Sequence, residues 1–215
     1  MSFLPDAATL AAFTLAALVL TVTPGPDMTL YLGRTFAAGP RAGLAAYAGA
    51  STGSLVHTAL AALGLSALLA ASPTAFLMLK VAGAAYLLWL AIQAIRHGSA
   101  LPAGDAAGIR RERPPLLREW AKGLSINLLN PKIVLFFVAF LPSFVSVNDP
   151  HAAGKLFFLG LYFVVFAAPL NVAFILLADR LSLALRRRPA IVRAIDWLFA
   201  GVFSVFAAKI LLARA

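Results

Sequence analysis

The chain has 215 residues, 62% of them hydrophobic and 12% charged, a net charge of +10 and a mean hydropathy of +0.91, far above what a soluble domain of this length needs for its core. It has no cysteine, which excludes disulfides, zinc-thiolate sites, iron-sulfur clusters and thiol redox relays. Its arginines flank apolar segments instead of forming a basic, aromatic-studded soluble face, so nucleic acid is not an expected partner.

A helix needs about 20 apolar residues to cross a bilayer. Spans are predicted near 7–35, 42–70, 73–95, 119–145, 153–178 and 194–213, with Gly39-Pro40, Ser72-Pro73, Asp149-Pro150 and Arg188-Pro189 as turns between them. The expected fold class is therefore all-α, a polytopic membrane protein of six transmembrane helices in a single domain, 1–215. No Lys or Arg precedes Arg34, so the first segment lacks the basic front of a cleaved signal peptide and is expected to remain.

The first span is interrupted midway by Pro24, Gly25 and Pro26 followed by Asp27. Helix breakers at membrane depth free backbone groups, which the bilayer tolerates only where protein or a water-lined cavity satisfies them. A carboxylate at the bilayer centre costs about 2.5–3.5 kcal/mol on insertion scales and marks a functional site by default. Asp27 is read as binding a substrate ammonium or taking up a proton. It also has a simpler role open to it, accepting backbone amides at the start of the half-helix after Pro26.

In the second span Gly49, Gly53 and His57 recur every four residues. They share one helical face on which the glycines admit a close neighbour, and His57 is a candidate proton relay as well as a packing residue. Ser51, Thr52 and Ser54 are expected to bond between helices. Lys80, near the start of the third span, can snorkel to the headgroups, and Trp89, Trp120 and Trp197 sit toward span ends as interfacial anchors.

The fourth span is broken like the first, at Asn127-Leu128-Leu129-Asn130-Pro131-Lys132. Lys132 is expected either to pair with Asp27 or to receive a substrate carboxylate. Asn127 and Asn130 bind substrate or satisfy backbone groups freed by Pro131. Asn171, just after Pro169 in the fifth span, is a further candidate.

Arg34, Arg41, Arg96, Arg118, Lys122, Arg180, Arg193 and the basic runs at 110–113 and 186–188 fall at the first, third and fifth loops, against Lys155, Lys209 and Arg214 on the other side. Cytoplasmic loops collect Lys and Arg, so both termini are expected on the outer (periplasmic) side. Ala82-Gly83 with Arg96 repeats the spacing of Ala200-Gly201 with Arg214, and Gly25-Pro26-Asp27 matches Asn130-Pro131-Lys132. Three helices per half makes this a 3+3 inverted repeat with helices 1 and 4 broken, about 1–96 and 119–215 around a cytoplasmic loop of about 97–118. Secondary transporters place their sites at such repeat interfaces.

The motifs Thr23-Pro24-Gly25-Pro26-Asp27-Met28, Gly49-Ala50-Ser51-Thr52-Gly53 with His57, Ala82-Gly83-Ala84-Ala85-Tyr86-Leu87 with Trp89-Leu90, the Asn127 to Lys132 segment and Phe140-Leu141-Pro142-Ser143-Phe144 together resemble the LysE/RhtB family of bacterial amino-acid exporters over essentially the whole chain. The resemblance implies an inner-membrane exporter of amino acids or close derivatives driven by an ion gradient. The Pro-Gly-Pro-Asp form is more similar to the homoserine and threonine-type branch than to the lysine-exporting one, which leans the substrate toward neutral amino acids. No Walker loop is present, and no cofactor or resident metal is expected. The expected partners are an amino acid, protons or another coupling ion, and membrane lipids; a homodimer is left open. Efflux of a metal or other small cation competes with this reading, and far behind it come an intramembrane hydrolase using Ser51 or Ser54 with His57 and Asp27, and a purely structural subunit.

Overall fold

The computed structural model describes residues 4–97, 114–146, 149–178, 180 and 189–212. Helices α1 (Ala7–Val22) and α2 (Pro26–Ala38) are bent by 47° at the first break, and α6 (Leu116–Leu129) meets the Pro131–Phe144 segment at 53° at the second. Between them lie α3 (Pro40–Leu60), which runs through a π-helical turn at Ala61–Leu65 into α4 (Ser66–Ala71), and α5 (Pro73–His97). The Pro131–Phe144 segment consists of α7 (Pro131–Leu135), a π-helical turn at Phe136–Phe140 and a 3-10 turn at Leu141–Phe144. Helices α8 (Ala152–Leu176) and α9 (Pro189–Leu212) complete the described chain. No strand occurs among the described residues. Helix α8 is long and apolar enough to cross a membrane alone, at a mean hydropathy of 2.2, and each bent pair qualifies as one span. The chain is an all-α membrane protein.

The local causes of these elements are visible. Asp6 caps α1, accepting from the Thr9 amide and hydroxyl at 2.8 Å each. Gly39 carries φ of 91° between α2 and α3, a backbone region that other residues rarely adopt. Pro26, Pro40 and Pro131 each open a helix at its first position, where a missing N–H costs nothing. The last helix begins at Pro189, five residues before the expected 194, for the same reason: proline is preorganised for a first turn, and the charge at Arg193, exposed on that helix, does not stop it. Most of the expected loop 97–118, the basic runs at 110–113 and 186–188, Arg214, and the side chains of Lys80 and Lys209 lie outside the described residues.

Two contacts fix the bundle around the breaks. Helices α3 and α6 cross backbone to backbone: a Cβ on Gly49 would fall on the Trp120 carbonyl, one on Gly123 on the Ala46 carbonyl, and one on Gly53 on the Asn127 side chain. The shared face expected of Gly49, Gly53 and His57 is thus the α6-facing side of α3. At this crossing the Trp120 indole N–H donates to Thr52 Oγ1 at 3.2 Å. The main apolar cluster joins α1, the Pro131–Phe144 segment and α8. Phe13 meets Phe144 edge-on at 5.2 Å, and Phe136 lies 4.7 Å from Phe163.

Candidate functional site

The two breaks face each other across a cavity. Leu20, Thr21, Thr23, Gly25, Asp27, Met28 and Tyr31 line it from the first bent pair, Asn127, Asn130, Lys132 and Ile133 from the second, Tyr47, Ala50, Ser51 and Ser54 from α3, and Phe163, Val164, Ala167 and Asn171 from α8. Its enclosed volume is about 70 Å³, and it widens into an open mouth. Pro24, Pro26 and Pro131 shape its walls by ending and starting helices. His57 stands behind the lining, buried, its ring stacked on Phe137 at 5.6 Å and its Nε2 3.4 Å from the Asn127 carbonyl.

Asp27 lies in the first turn of α2, at the positive end of the helix dipole. It is not the cap: Gly25 occupies that position and no side chain bonds there, which removes the capping role considered for Asp27. Its carboxylate turns to the other break instead. Asn127 Nδ2 donates to Asp27 Oδ2 at 2.6 Å, whereas Oδ1 is buried and accepts no hydrogen bond. An ionised acceptor makes the first contact strong, and a buried carboxylate oxygen without a donor is costly. The Asn127 amide is held in this sense because its oxygen faces the Ser54 hydroxyl at 3.5 Å.

Lys132 does not pair with Asp27. Its Nζ donates to the Leu20 carbonyl at 2.9 Å and to the Thr23 carbonyl at 2.6 Å, and the Phe199 ring lies 5.5 Å from it. The physical reason is in the sequence: an intact helix would satisfy the Leu20 carbonyl with the N–H of residue 24, and Pro24 has none. Asn130 caps α7, its Oδ1 accepting the Lys132 amide at 3.0 Å.

At the far side of the cavity the Tyr31 hydroxyl donates to Asn171 Oδ1 at 2.5 Å, and Asn171 Nδ2 donates to the Ala167 carbonyl at 2.9 Å. Tyr47 stands edge-on to Tyr31 at 5.7 Å. Sequence reading did not single out Tyr31, although it follows Asp27 by one helical turn and therefore shares its face.

Beyond the cavity, Glu119 is fully buried at the start of α6 and takes Arg34 Nε at 2.5 Å, Arg34 Nη2 at 3.1 Å and Lys122 Nζ at 2.9 Å. Arg34 is seven residues past Asp27 on α2, and Glu119 eight before Asn127 on α6. At 1.5 Å per residue each is about 10–12 Å along its helix from the break. Sequence reading took Arg34 and Lys122 only as topology determinants. It also missed Asp196, which is buried on α9 one turn before Phe199.

The cavity lining brings together a carboxylate, an ammonium and a neutral hydrogen-bonding arm. A small zwitterion with a polar side chain matches those three groups.

A family model described as LysE type translocator matches residues 18–214. The chain is 30% identical over 203 residues, 94% of its own length and 96% of the relative's, to a Salmonella typhimurium protein named homoserine/homoserine lactone efflux protein. It is 33% identical over 192 residues, 89% of its length and 91% of the relative's, to an uncharacterized membrane protein of Vibrio cholerae. No solved structure matches the chain.

Proposed function

We propose, from the premise that this chain belongs to the LysE type translocator family and is a membrane translocator of a small molecule rather than an enzyme, that it exports neutral amino acids or their close derivatives, homoserine- and threonine-like ones first. The observation that carries this reading is Asp27 Oδ1, buried and without a donor beside the cavity. A substrate ammonium at that oxygen completes its hydrogen bonding, while a third N–H of Lys132 remains to meet the substrate carboxylate. The name borne by the Salmonella typhimurium relative, an efflux protein for homoserine and its lactone, agrees with a small neutral cargo.

The cycle we propose is alternating access between six spans in a 3+3 inverted repeat, 1–96 and 119–215, with both termini periplasmic in the inner membrane. Substrate leaves outward as Asp27 takes up a proton. A proton moving down a 100 mV potential gains about 2.3 kcal/mol, enough to drive export against a gradient of roughly fifty-fold. Metal efflux fits less well, because Asp27 is the only carboxylate among the lining residues and the Lys132 ammonium faces the same space.

The test is uptake into everted vesicles of a panel of labelled amino acids, with and without an uncoupler. Wild type accumulates a neutral hydroxylated amino acid only when energised, and Asp27→Asn, inserted to the same level, does not. Accumulation by Asp27→Asn at the wild-type rate would remove Asp27 from the mechanism.

A further inference from the structure

The Lys132 contact says more than that a buried charge has found partners. Helix α1 ends at Val22, and Leu20 and Thr23 sit in its last turn and cap, the negative end of the helix dipole. Both carbonyls turn to a single cation, the Lys132 ammonium, at 2.9 and 2.6 Å. An aromatic face closes the site from α9 at 5.5 Å, and the Asp27 carboxylate lines the same cavity. Exposed carbonyls at the C-terminal end of a broken half-helix, with an acid nearby, are what transporters of this architecture use to hold a coupling sodium ion. Here the cation is carried by the chain itself, from the first turn of the second break.

We propose that the Lys132 ammonium is a tethered cation in a monovalent-cation site formed by the Leu20 and Thr23 carbonyls, and that transport by this chain is therefore independent of sodium. The inference rests on reading the chain as a secondary transporter, not on the identity of its substrate. It assigns Lys132 a positioning role: it satisfies the carbonyl that Pro24 strips of its donor and holds α1 against α7. It also assigns a latent site. Removing the side chain leaves the two carbonyls facing a space that an ion can enter, with the Asp27 carboxylate elsewhere in the same cavity lining.

Thermal unfolding of the purified full chain in detergent tests this, comparing sodium chloride with choline chloride at equal ionic strength. Wild type is expected to melt at the same temperature in both. Lys132→Ala is expected to gain a saturable sodium-dependent rise of about 3–6 °C at ten times the half-saturating concentration. Lys132→Met, whose stem fills the space without a charge, gains none. A sodium-dependent rise in wild type, or none in folded Lys132→Ala, overturns the proposal. If Lys132→Ala is not recovered folded, Lys132→Ser in the same assay and replacement of sodium by choline in energised wild-type vesicles decide it: export that falls with sodium removal overturns it, and unchanged export upholds it. The melting assay needs no amino acid, so failure of the proposed cargo would show separately, as vesicles that accumulate none.

Discussion

Replacing Gly49 by alanine puts a methyl group where the Trp120 carbonyl already is, with the Leu124 amide close behind. Backbone cannot rotate away as a side chain can, so α6 must retreat by an ångström or more. Forcing a methyl into a close-packed contact costs about 1–3 kcal/mol. The same helix carries Asn127, whose 2.6 Å bond to Asp27 cannot survive a retreat of that size, and losing a hydrogen bond to a charged group costs about 1.5–3 kcal/mol more. Gly33→Ala is the control, because nothing lies within 4 Å of its added Cβ, and a helical alanine there stabilises by about 0.4–1 kcal/mol. The two variants should differ by roughly 3–7 kcal/mol, which at about 2–4 °C per kcal/mol for a chain of this size separates their melting temperatures by at least about 6 °C. Tryptophan fluorescence of the detergent-purified variants reads this directly, and export by Gly49→Ala should fall with its stability. Melting of the two within a degree of each other would refute the backbone crossing.

Glu119→Gln removes the buried charge shared by Arg34 and Lys122 and replaces one of its acceptor oxygens with an N–H donor. Both cations reach solvent, so the loss should be about 1–3 kcal/mol, less than for an ion pair buried on both sides. A double-mutant cycle with Arg34→Met should give a coupling above about 1 kcal/mol, and additive losses would count against the pair. Tyr31→Phe leaves Asn171 Oδ1 without its donor and should lower stability by about 1–3 kcal/mol while Tyr47→Phe, half-buried, does less; equal melting temperatures for wild type and Tyr31→Phe would speak against the bond. At the start of α8, the Lys155 side chain and the His151 amide hold the carboxyl of Asp149, on the preceding loop, below its ordinary 3.8. A depressed value means the contact is intact at neutral pH and is lost as pH falls through it. An NMR titration finding Asp149 at or above that ordinary value would contradict the contact.

Both breaks were legible because proline and glycine interrupt helices through local sterics, whatever surrounds them. The four-residue spacing of Gly49 and Gly53 was legible for a similar reason, since 3.6-residue periodicity assigns a face without a partner. What the sequence could not show is which groups meet across helices a hundred residues apart. Asp27 and Lys132 look like partners by charge, yet Asp27 takes Asn127 and Lys132 takes the Leu20 and Thr23 carbonyls, an outcome set by the angular phase of each half-helix. The donor missing at Pro24 was the clue, because an unsatisfied carbonyl at membrane depth needs a donor from somewhere. Glu119 carries no local signal of its role, because its burial under two cations depends on the crossing of α2 and α6. Asp196 drew no reading, although Trp197 beside it did.

The two bent pairs are fastened to each other in different ways at their two ends. On the side of Arg34 and Glu119 the fastening is an ion pair with two fixed donor directions, and on the side of Phe13 and Phe144 it is ring against ring. A forked ion pair has directed hydrogen bonds that weaken steeply once their angle falls below about 120°, whereas aromatic contacts keep their energy over a spread of angles and centroid distances. One end therefore behaves as a snap and the other as a sliding bearing. Motion that leaves the snap closed can proceed by small steps along the phenylalanines, but release at the other end has to happen in a single event.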